Sequence, residues 1–381
     1  MAEKGFQPLS KGRVIPDAVT VFTGASAGKG GAAFHGWESL SITKTLDSIA
    51  HAFSITLFDK FTGLKQDWPL KPGVRVHFHL GRDSVATGRI EKLEAQFSPD
   101  KREFTISGRS NAGDLVDACH DGNYELNGSY IEEIAKELCD PFGIRVSMAL
   151  PKQSLAVEKF AVKPGETVFE ALDRAARLHG ALWISTVEGG IMLTRAGTTK
   201  AFSALEQNVN VLSASATYDD SKRHNVYKVK GQAVGKDEFA GLAASSPEGE
   251  ATDKGVTRHR PLVLVSESSG DGANAQTRAE WEATHRLAQA IQVEVGVAGW
   301  RQANGGLWDI NQIVRIKSGF LGLDRQMLIS AITYEVSNSG GTTANLTLVD
   351  KNAFTPKPET NTKASDDIFS GIGNNDEDED E

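Results

Sequence analysis

The stretches Trp68-Pro69-Leu70-Lys71-Pro72-Gly73-Val74-Arg75-Val76 and Trp308-Asp309-Ile310-Asn311-Gln312-Ile313-Val314-Arg315-Ile316 read as two copies of one pattern. The likeness runs on. Ile90, Leu93, Phe97 and Ser98 are spaced as Ile329, Ile332, Val336 and Ser337, and each copy ends in an alternating run, Phe104/Ile106 and Leu346/Leu348. In this alignment only the last turn differs, by three residues. Self-similarity over such a distance reports duplicated architecture rather than local propensity. It predicts one small β-domain used twice in the chain.

Outward from the first copy, Val74-Arg75-Val76-His77-Phe78-His79-Leu80 alternates apolar with polar residues, the period of a half-buried strand. Phe53, Ile55 and Leu57 alternate likewise, and Gly81-Arg82-Asp83-Ser84 and Ser98-Pro99-Asp100 carry turn chemistry. After Gly108 the pattern turns helical. Ser129 with Glu132 forms a capping box before Ile131, Ile134, Ala135 and Leu138, a helix expected to end near Pro141 and Gly143. Thr167 with Glu170 forms a second box before Val168, Leu172 and Ala175, with a stop at Gly180. Short strands are expected around Ile144-Arg145-Val146 and Leu182-Trp183-Ile184. Strands resume at 209–212 and 226–229, a polar segment from Gly235 to Ala275 reads as a long loop, and a helix over 278–289 has Trp281, His285, Ala288 and Ile291 at core-facing spacing.

The fold expected is α+β, mainly β. Two similar small antiparallel β-barrel domains, 1–113 and 206–355, are separated by an α+β domain, 114–205, and the second holds an inserted loop and helix at about 235–295. Residues 356–381 form an acidic tail expected to be disordered. Eight of the nine excess negative charges sit at Asp366, Asp367 and residues 376–381, so residues 1–365 carry a net charge of only -1. A nearly neutral body has no basic footprint for nucleic acid. With 39% hydrophobic and 24% charged residues the chain has material for several cores, and no run approaches the length of a membrane-spanning helix. The start, Met1-Ala2-Glu3-Lys4-Gly5, lacks the apolar stretch of a secretory signal, so folding in a cytoplasm is expected. Cys119 and Cys139 are expected to be two buried free thiols.

Candidate chemistry is sparse. His77 and His79 lie two apart on one strand and could share a metal, but no third ligand is near, and a solvated or subunit-facing polar face accounts for them. Residues 24–31, Gly-Ala-Ser-Ala-Gly-Lys-Gly-Gly, suggest a phosphate loop only superficially, because the spacing fails and no helix follows; a hairpin tip is expected. Glu132, Glu133, Glu166 and Asp173 could include a glycosidase pair, yet most sit where a helix start favours negative charge. No catalytic, metal or cofactor site is expected, and Trp37, Trp68 and Trp308 read as core or interface residues.

Residues 160–180, from Phe160-Ala161-Val162-Lys163-Pro164-Gly165-Glu166-Thr167-Val168 to the helix ending at Gly180, resemble the opening of a LysM glycan-binding module. A wider set of motifs follows in order along most of residues 37–350: Leu80-Gly81-Arg82-Asp83 with Thr87-Gly88-Arg89-Ile90, Ser107-Gly108-Arg109-Ser110 before Asp114-Leu115-Val116-Asp117, Pro164-Gly165-Glu166-Thr167, Val229-Lys230-Gly231-Gln232, and Gly299-Trp300 followed by Leu307-Trp308. On these residues the chain resembles the baseplate hub proteins of contractile phage tails, the Mu-like tail proteins above all, with similarity to the central hub of T-even phages. Beside it the LysM likeness implies a second reading, a peptidoglycan-binding or peptidoglycan-cleaving tail component. The hub resemblance implies a non-enzymatic homotrimer in the virion, assembled in the host bacterial cytoplasm. Its duplicated barrels would form a pseudo-six-fold ring joining a six-fold tail tube to a three-fold spike, with no cofactor.

Overall fold

The computed structural model describes residues 19–24, 33–34, 37–58, 70–99, 102–126, 129–151, 156–157, 160–230, 248–265, 272–337 and 340–357. These form two compact units. One comprises residues 1–223 with 284–356, the other residues 224–283 with 357–381. The fold is mainly β with few helices.

Ten strands of the first unit carry the repeat. They are β1 (Ser39–Thr45), β2 (Ala52–Phe58), β3 (Arg75–Leu80), β4 (Asp83–Phe97), β5 (Arg102–Ser110), β6 (Val211–Tyr218), β7 (Ile291–Ala298), β8 (Gln312–Ser318), β9 (Leu323–Ser337) and β10 (Gly341–Val349). The first five pair in the order β3-β4-β5-β2-β1, and the second five repeat it as β8-β9-β10-β7-β6. Each copy even has the same bulge, between Ile90 and Lys92 in β4 and between Ile329 and Ala331 in β9. A bulge inserts one residue against a partner strand and bends it, so a shared bulge fixes the correspondence residue by residue.

That correspondence corrects the sequence alignment at both ends. Ile106 matches Leu346 and Phe104 matches Ala344, because Leu93 pairs with Ile106 and Ile332 pairs with Leu346. The last turn therefore differs by one residue, not three. At the other end Val76, not Val74, matches Val314, since Val76 pairs with Gly88 and Val314 with Met327. A two-residue slip leaves every side chain on its own face, so hydrophobic alternation alone cannot detect it. The corrected register sets Trp308 against Leu70 rather than Trp68, and both Leu70 and Trp308 are buried; Trp68 itself lies outside the described residues.

The two copies are separate in sequence but fused in space. β1 pairs antiparallel with β9, from Ser39 opposite Ser337 to Thr45 opposite Ala331. One fourteen-stranded sheet results, and it includes Val19–Thr23 and Ala33–Phe34 beside β3 and two short strands, Thr199–Lys200 and Leu205–Glu206, parallel to β8. A single core runs through both copies, with Ile42, Ile55, Phe78 and Ile106 in one and Trp308, Ile332, Tyr334 and Leu346 in the other. Among the described residues the strand pairings run through both copies as one sheet.

Between the copies lie helices α1 (Ile131–Cys139) and α2 (Val168–Arg177) and a three-stranded sheet of Val146–Met148, Leu182–Ser185 and Ile191–Thr194. The apolar faces of both helices enter a second core with Trp183, Ile191 and Leu193, and the Trp183 indole N–H donates to the Leu172 carbonyl at 2.9 Å. The Thr167 and Glu170 box is present in both directions, at 3.2 and 2.8 Å. The first box slips by one residue. Glu133, not Glu132, accepts from the backbone N–H of Tyr130 at the N-cap position, and Glu132 instead pairs with Lys136 at 2.6 Å.

The second unit holds a small sheet in which Val226–Lys230 is flanked by Glu248–Thr252, antiparallel, and Pro261–Val265, parallel. These last two strands fall inside the segment expected to be a loop. Glu248–Thr252 is largely polar and carries little periodic signal, whereas Pro261–Val265 is a short apolar run that the surrounding Gly, Ser and Ala composition hides. Helix α3 (Gly272–Gln289) begins here, six residues earlier than expected, with Ala275 and Ala279 against Val229. Its most buried residues are Ala275, Ala279, Glu282 and Ala288 rather than Trp281 and His285, and Ile291 already belongs to β7. The acidic tail beyond Lys357 lies outside the described residues.

Candidate assembly interface

The junction between the copies is built from residues that the sequence shows only as separate motifs. Arg301 donates to Asp83 at 2.6 Å and to the Leu80 carbonyl at 3.0 Å, tying the turn after β3 to the second copy. The Trp300 indole N–H donates to the Glu335 carbonyl at 3.2 Å, and the Tyr334 hydroxyl donates to the Trp308 carbonyl. Lys44, on β1, is buried and donates to both carboxylate oxygens of Asp309 at 3.1 and 3.3 Å, with its ammonium 5.8 Å from the centre of the Tyr334 ring. Thr43 and Thr333 share a hydroxyl hydrogen bond at 3.1 Å across the same ladder.

A second cluster explains the Ser107-Gly108-Arg109-Ser110 and Asp114 to Asp117 motifs. Arg109 donates from Nε to the bulge residue Glu91 at 2.8 Å and from Nη1 to Asp117 at 3.1 Å, clamping the bulge to the helical turn Gly113–Asp117. The guanidinium in turn holds the Asp117 carboxyl below its ordinary range. Gly88 and Gly108 sit where β4 and β5 run closest: a Cβ on either would lie 2.1 Å from the backbone oxygen of Arg109 or Arg89. Only glycine fits there.

The remaining candidates resolve into structural roles. His77 is buried with both ring nitrogens engaged, Nδ1 with the Thr87 hydroxyl at 3.0 Å and Nε2 with the Gly24 carbonyl at 3.1 Å, and burial lowers its pKa. It is therefore not the solvated face expected. His79 packs edge-on against Phe22. Among the described residues no three His, Cys, Asp or Glu side chains come together as a metal site. Of the glycine-rich segment only Gly24 is described. Glu166 pairs with Arg174 at 2.8 Å, Asp173 with Arg177 and Glu132 with Lys136, and Glu133 accepts the Tyr130 N–H, so each carboxylate weighed for a glycosidase pair has a local partner. In the LysM-like segment Phe160 is buried beneath the Arg174 guanidinium, 4.5 Å from its ring, and the apolar face of α2 is covered by its own core. Of the two cysteines Cys139 is buried as expected, but Cys119 is exposed. Among the described residues no helix is long and apolar enough to cross a membrane.

Beyond the internal junction, large apolar side chains stay exposed on two of the described strands. Phe97 on β4 is 88% exposed, and Leu212 and Tyr218 on β6 are 64% and 55% exposed. Apolar patterning does not reveal β6 as the counterpart of β1. The signal lies in the polar residues: Ser39-Leu40-Ser41-Ile42-Thr43 and Ser213-Ala214-Ser215-Ala216-Thr217 share every polar position while differing at every inward one.

Comparison with known proteins supplies the context. Residues 28–110 match the N-terminal domain of the Mu phage baseplate assembly protein GpP-like family, residues 112–195 the second domain of the baseplate hub protein gp44-like family, and residues 271–357 the fourth domain of the Mu phage baseplate assembly protein GpP family. The baseplate hub protein gp44 of Escherichia phage Mu is 32% identical over 343 residues, 87% of this chain and 89% of that protein. The 43 kDa tail protein of prophage MuSo2 from Shewanella oneidensis superposes with a TM-score of 0.77 at 27% identity, over 88% of this chain and 99% of that one. A tail protein from Neisseria meningitidis shares the fold, with a TM-score of 0.72 at 22% identity over 89% and 98% of the two chains.

Proposed function

The chain belongs to the Mu-like phage baseplate hub family, and from that membership we propose that it works as a homotrimer whose two repeat copies form a pseudo-six-fold ring. It is a baseplate hub of a Mu-like phage tail, hence a structural component of the virion. The observation that carries the finer reading is the repeat itself: five strands in the same order, with the same bulge, occur twice in one chain. Three such chains present six quasi-equivalent surfaces around a three-fold axis. A six-fold tail tube can then seat on one side and a three-fold spike on the other.

The hub assembles in the host cytoplasm and works without catalysis or a cofactor, by matching symmetries and carrying load. The exposed Phe97 on β4 and Leu212 and Tyr218 on β6 support a role in assembly. The glycan-binding alternative gains no support, because the segment that suggested it is spent on its own core. Light scattering of the purified protein tests the reading. A mass three times the 40.9 kDa chain is expected. A monomer at high concentration would contradict it.

A further inference from the structure

Among the described strands of the repeat, β6 and the distal half of β4 each keep an unpaired edge, and the internal junction shows what fits them. β1 pairs with β2 on one edge and with β9 on the other. Its counterpart β6 pairs with β7 on one edge, and among the described strands nothing covers the other. β9 pairs with β10, and its half from Ala331 to Ser337 also pairs with β1. The equivalent half of β4, from Lys92 to Phe97, pairs with β5 and with no second described strand. One chain therefore holds one complete junction and both halves of another.

We propose that these halves meet between subunits: β6 of one chain adds antiparallel to the distal half of β4 in the next chain, in the register of the internal junction. The inference rests on the trimeric reading above and names the surface through which the trimer closes. The shared bulge and cross-strand pairs transfer each internal pair to an external one. Tyr334 opposite Ile42 becomes Ala95 opposite Ala216, Glu335 opposite Ser41 becomes Gln96 opposite Ser215, and Val336 opposite Leu40 becomes Phe97 opposite Ala214.

Three observations favour this occupant. In the internal junction Leu40, Ile42, Ile332 and Tyr334 are each at most 2% exposed, whereas Phe97, which lies on the same face of the uncovered β4 edge, is 88% exposed. Side-chain sizes are complementary: where the first copy has Leu40, β6 has Ala214, which lines a cleft of about 210 Å³ with Leu212, Ile316 and Phe320. That cleft lies beside the position assigned to the Phe97 ring. Finally, β6 reads Val-Leu-Ser-Ala-Ser-Ala-Thr-Tyr, eight residues with neither charge nor proline. Exposed edges are ordinarily guarded by such residues, and an unguarded strand is a template for strand addition. Because each chain offers one β4 edge and one β6 edge, the contact is head-to-tail, and a three-fold rotation closes it as a ring.

Disulfide trapping tests the register in a Cys119→Ser background. Gln96→Cys with Ser215→Cys should give covalent trimers on oxidation, and Ser41→Cys with Glu335→Cys, the internal equivalent, should give an intrachain bridge only. Gln96→Cys with Thr217→Cys, two residues off on the same face, should link at least tenfold less. Phe97→Asp, a substitution at an exposed side chain, should dissociate the trimer while leaving the circular dichroism spectrum unchanged. If light scattering finds trimers but the in-register pair links no better than the shifted one, the strand pairing is refuted and the trimer stands. If every variant and the parent are monomeric, the trimeric reading falls and this inference with it.

Discussion

Replacing Asp309 by Asn should destabilise the hub more than replacing Lys44 by Met, although both break the same ion pair. The reason is the asymmetry of burial: the Lys44 side chain is 4% exposed and that of Asp309 is 39% exposed. Asp309→Asn keeps an oxygen near the ammonium but leaves a buried charge without its counter-charge. Breaking a fully buried pair in this way costs about 3–5 kcal/mol, and because half of this pair is wet the expected loss is about 2–3 kcal/mol. Lys44→Met removes the buried charge, preserves most of the packed stem and lets the carboxylate rehydrate. Its cost is set by the lost contact with the Tyr334 ring and should be about 0.5–1 kcal/mol. The double variant should then cost little more than Lys44→Met alone, because Asp309→Asn strands no buried charge once the ammonium is gone. Urea unfolding followed by tryptophan fluorescence, with Trp308 adjacent, reads all three. Equal losses for the two single variants would refute the claim that the burial of Lys44 controls the junction.

Acid sensitivity should centre on His51, whose pKa burial and then Lys44 lower to about 3. The unfolded chain binds a proton below its ordinary pKa of 6.5 while the fold does not. The stability from neutral His51 is therefore fully present above pH 6.5 and falls as pH drops toward 3, with a slope approaching about 1.4 kcal/mol per pH unit. His51→Gln should flatten the profile by that slope, and urea titrations at about pH 6.5, 5.5 and 4.5 giving identical slopes for both proteins would argue against it. Gly88→Ala, whose Cβ would lie 2.1 Å from the Arg109 carbonyl oxygen, should cost about 2–3 kcal/mol, whereas Gly319→Ala, with nothing within 4 Å, should melt within about a degree or two of the parent. In the native protein a maleimide should label Cys119 alone, because Cys139 is buried and its thiol is pushed up to about 12. Two labels before denaturation would place Cys139 outside the core.

The repeat is legible in the sequence because inward positions of paired strands stay apolar whatever else changes, as with Phe53, Ile55 and Leu57 against Val293, Val295 and Val297. Register is not, because a slip of two residues preserves alternation; the bulges at Glu91 and Ser330 that pin it have no hydrophobic signature. The fusion of the copies is hidden for a related reason. Ala214 and Ala216 stand where the first copy has Leu40 and Ile42, so the equivalence of β1 and β6 survives only in their serines and threonine, which a search for apolar pattern discards. Thr167 marks its helix through local geometry alone, and both hydrogen bonds of its box form. In Leu80-Gly81-Arg82-Asp83 the turn is legible locally, but the role of Asp83 is not, because the residue bonded to it, Arg301, lies more than two hundred residues away.

The two quasi-equivalent surfaces of one chain are the centre of the account, and an electron-microscopic image of the purified assembly along its axis tests them most directly. A ring of three-fold symmetry with six lobes of two alternating kinds is predicted. A ring of six whole chains, or one in which three chains make only three lobes, would contradict it.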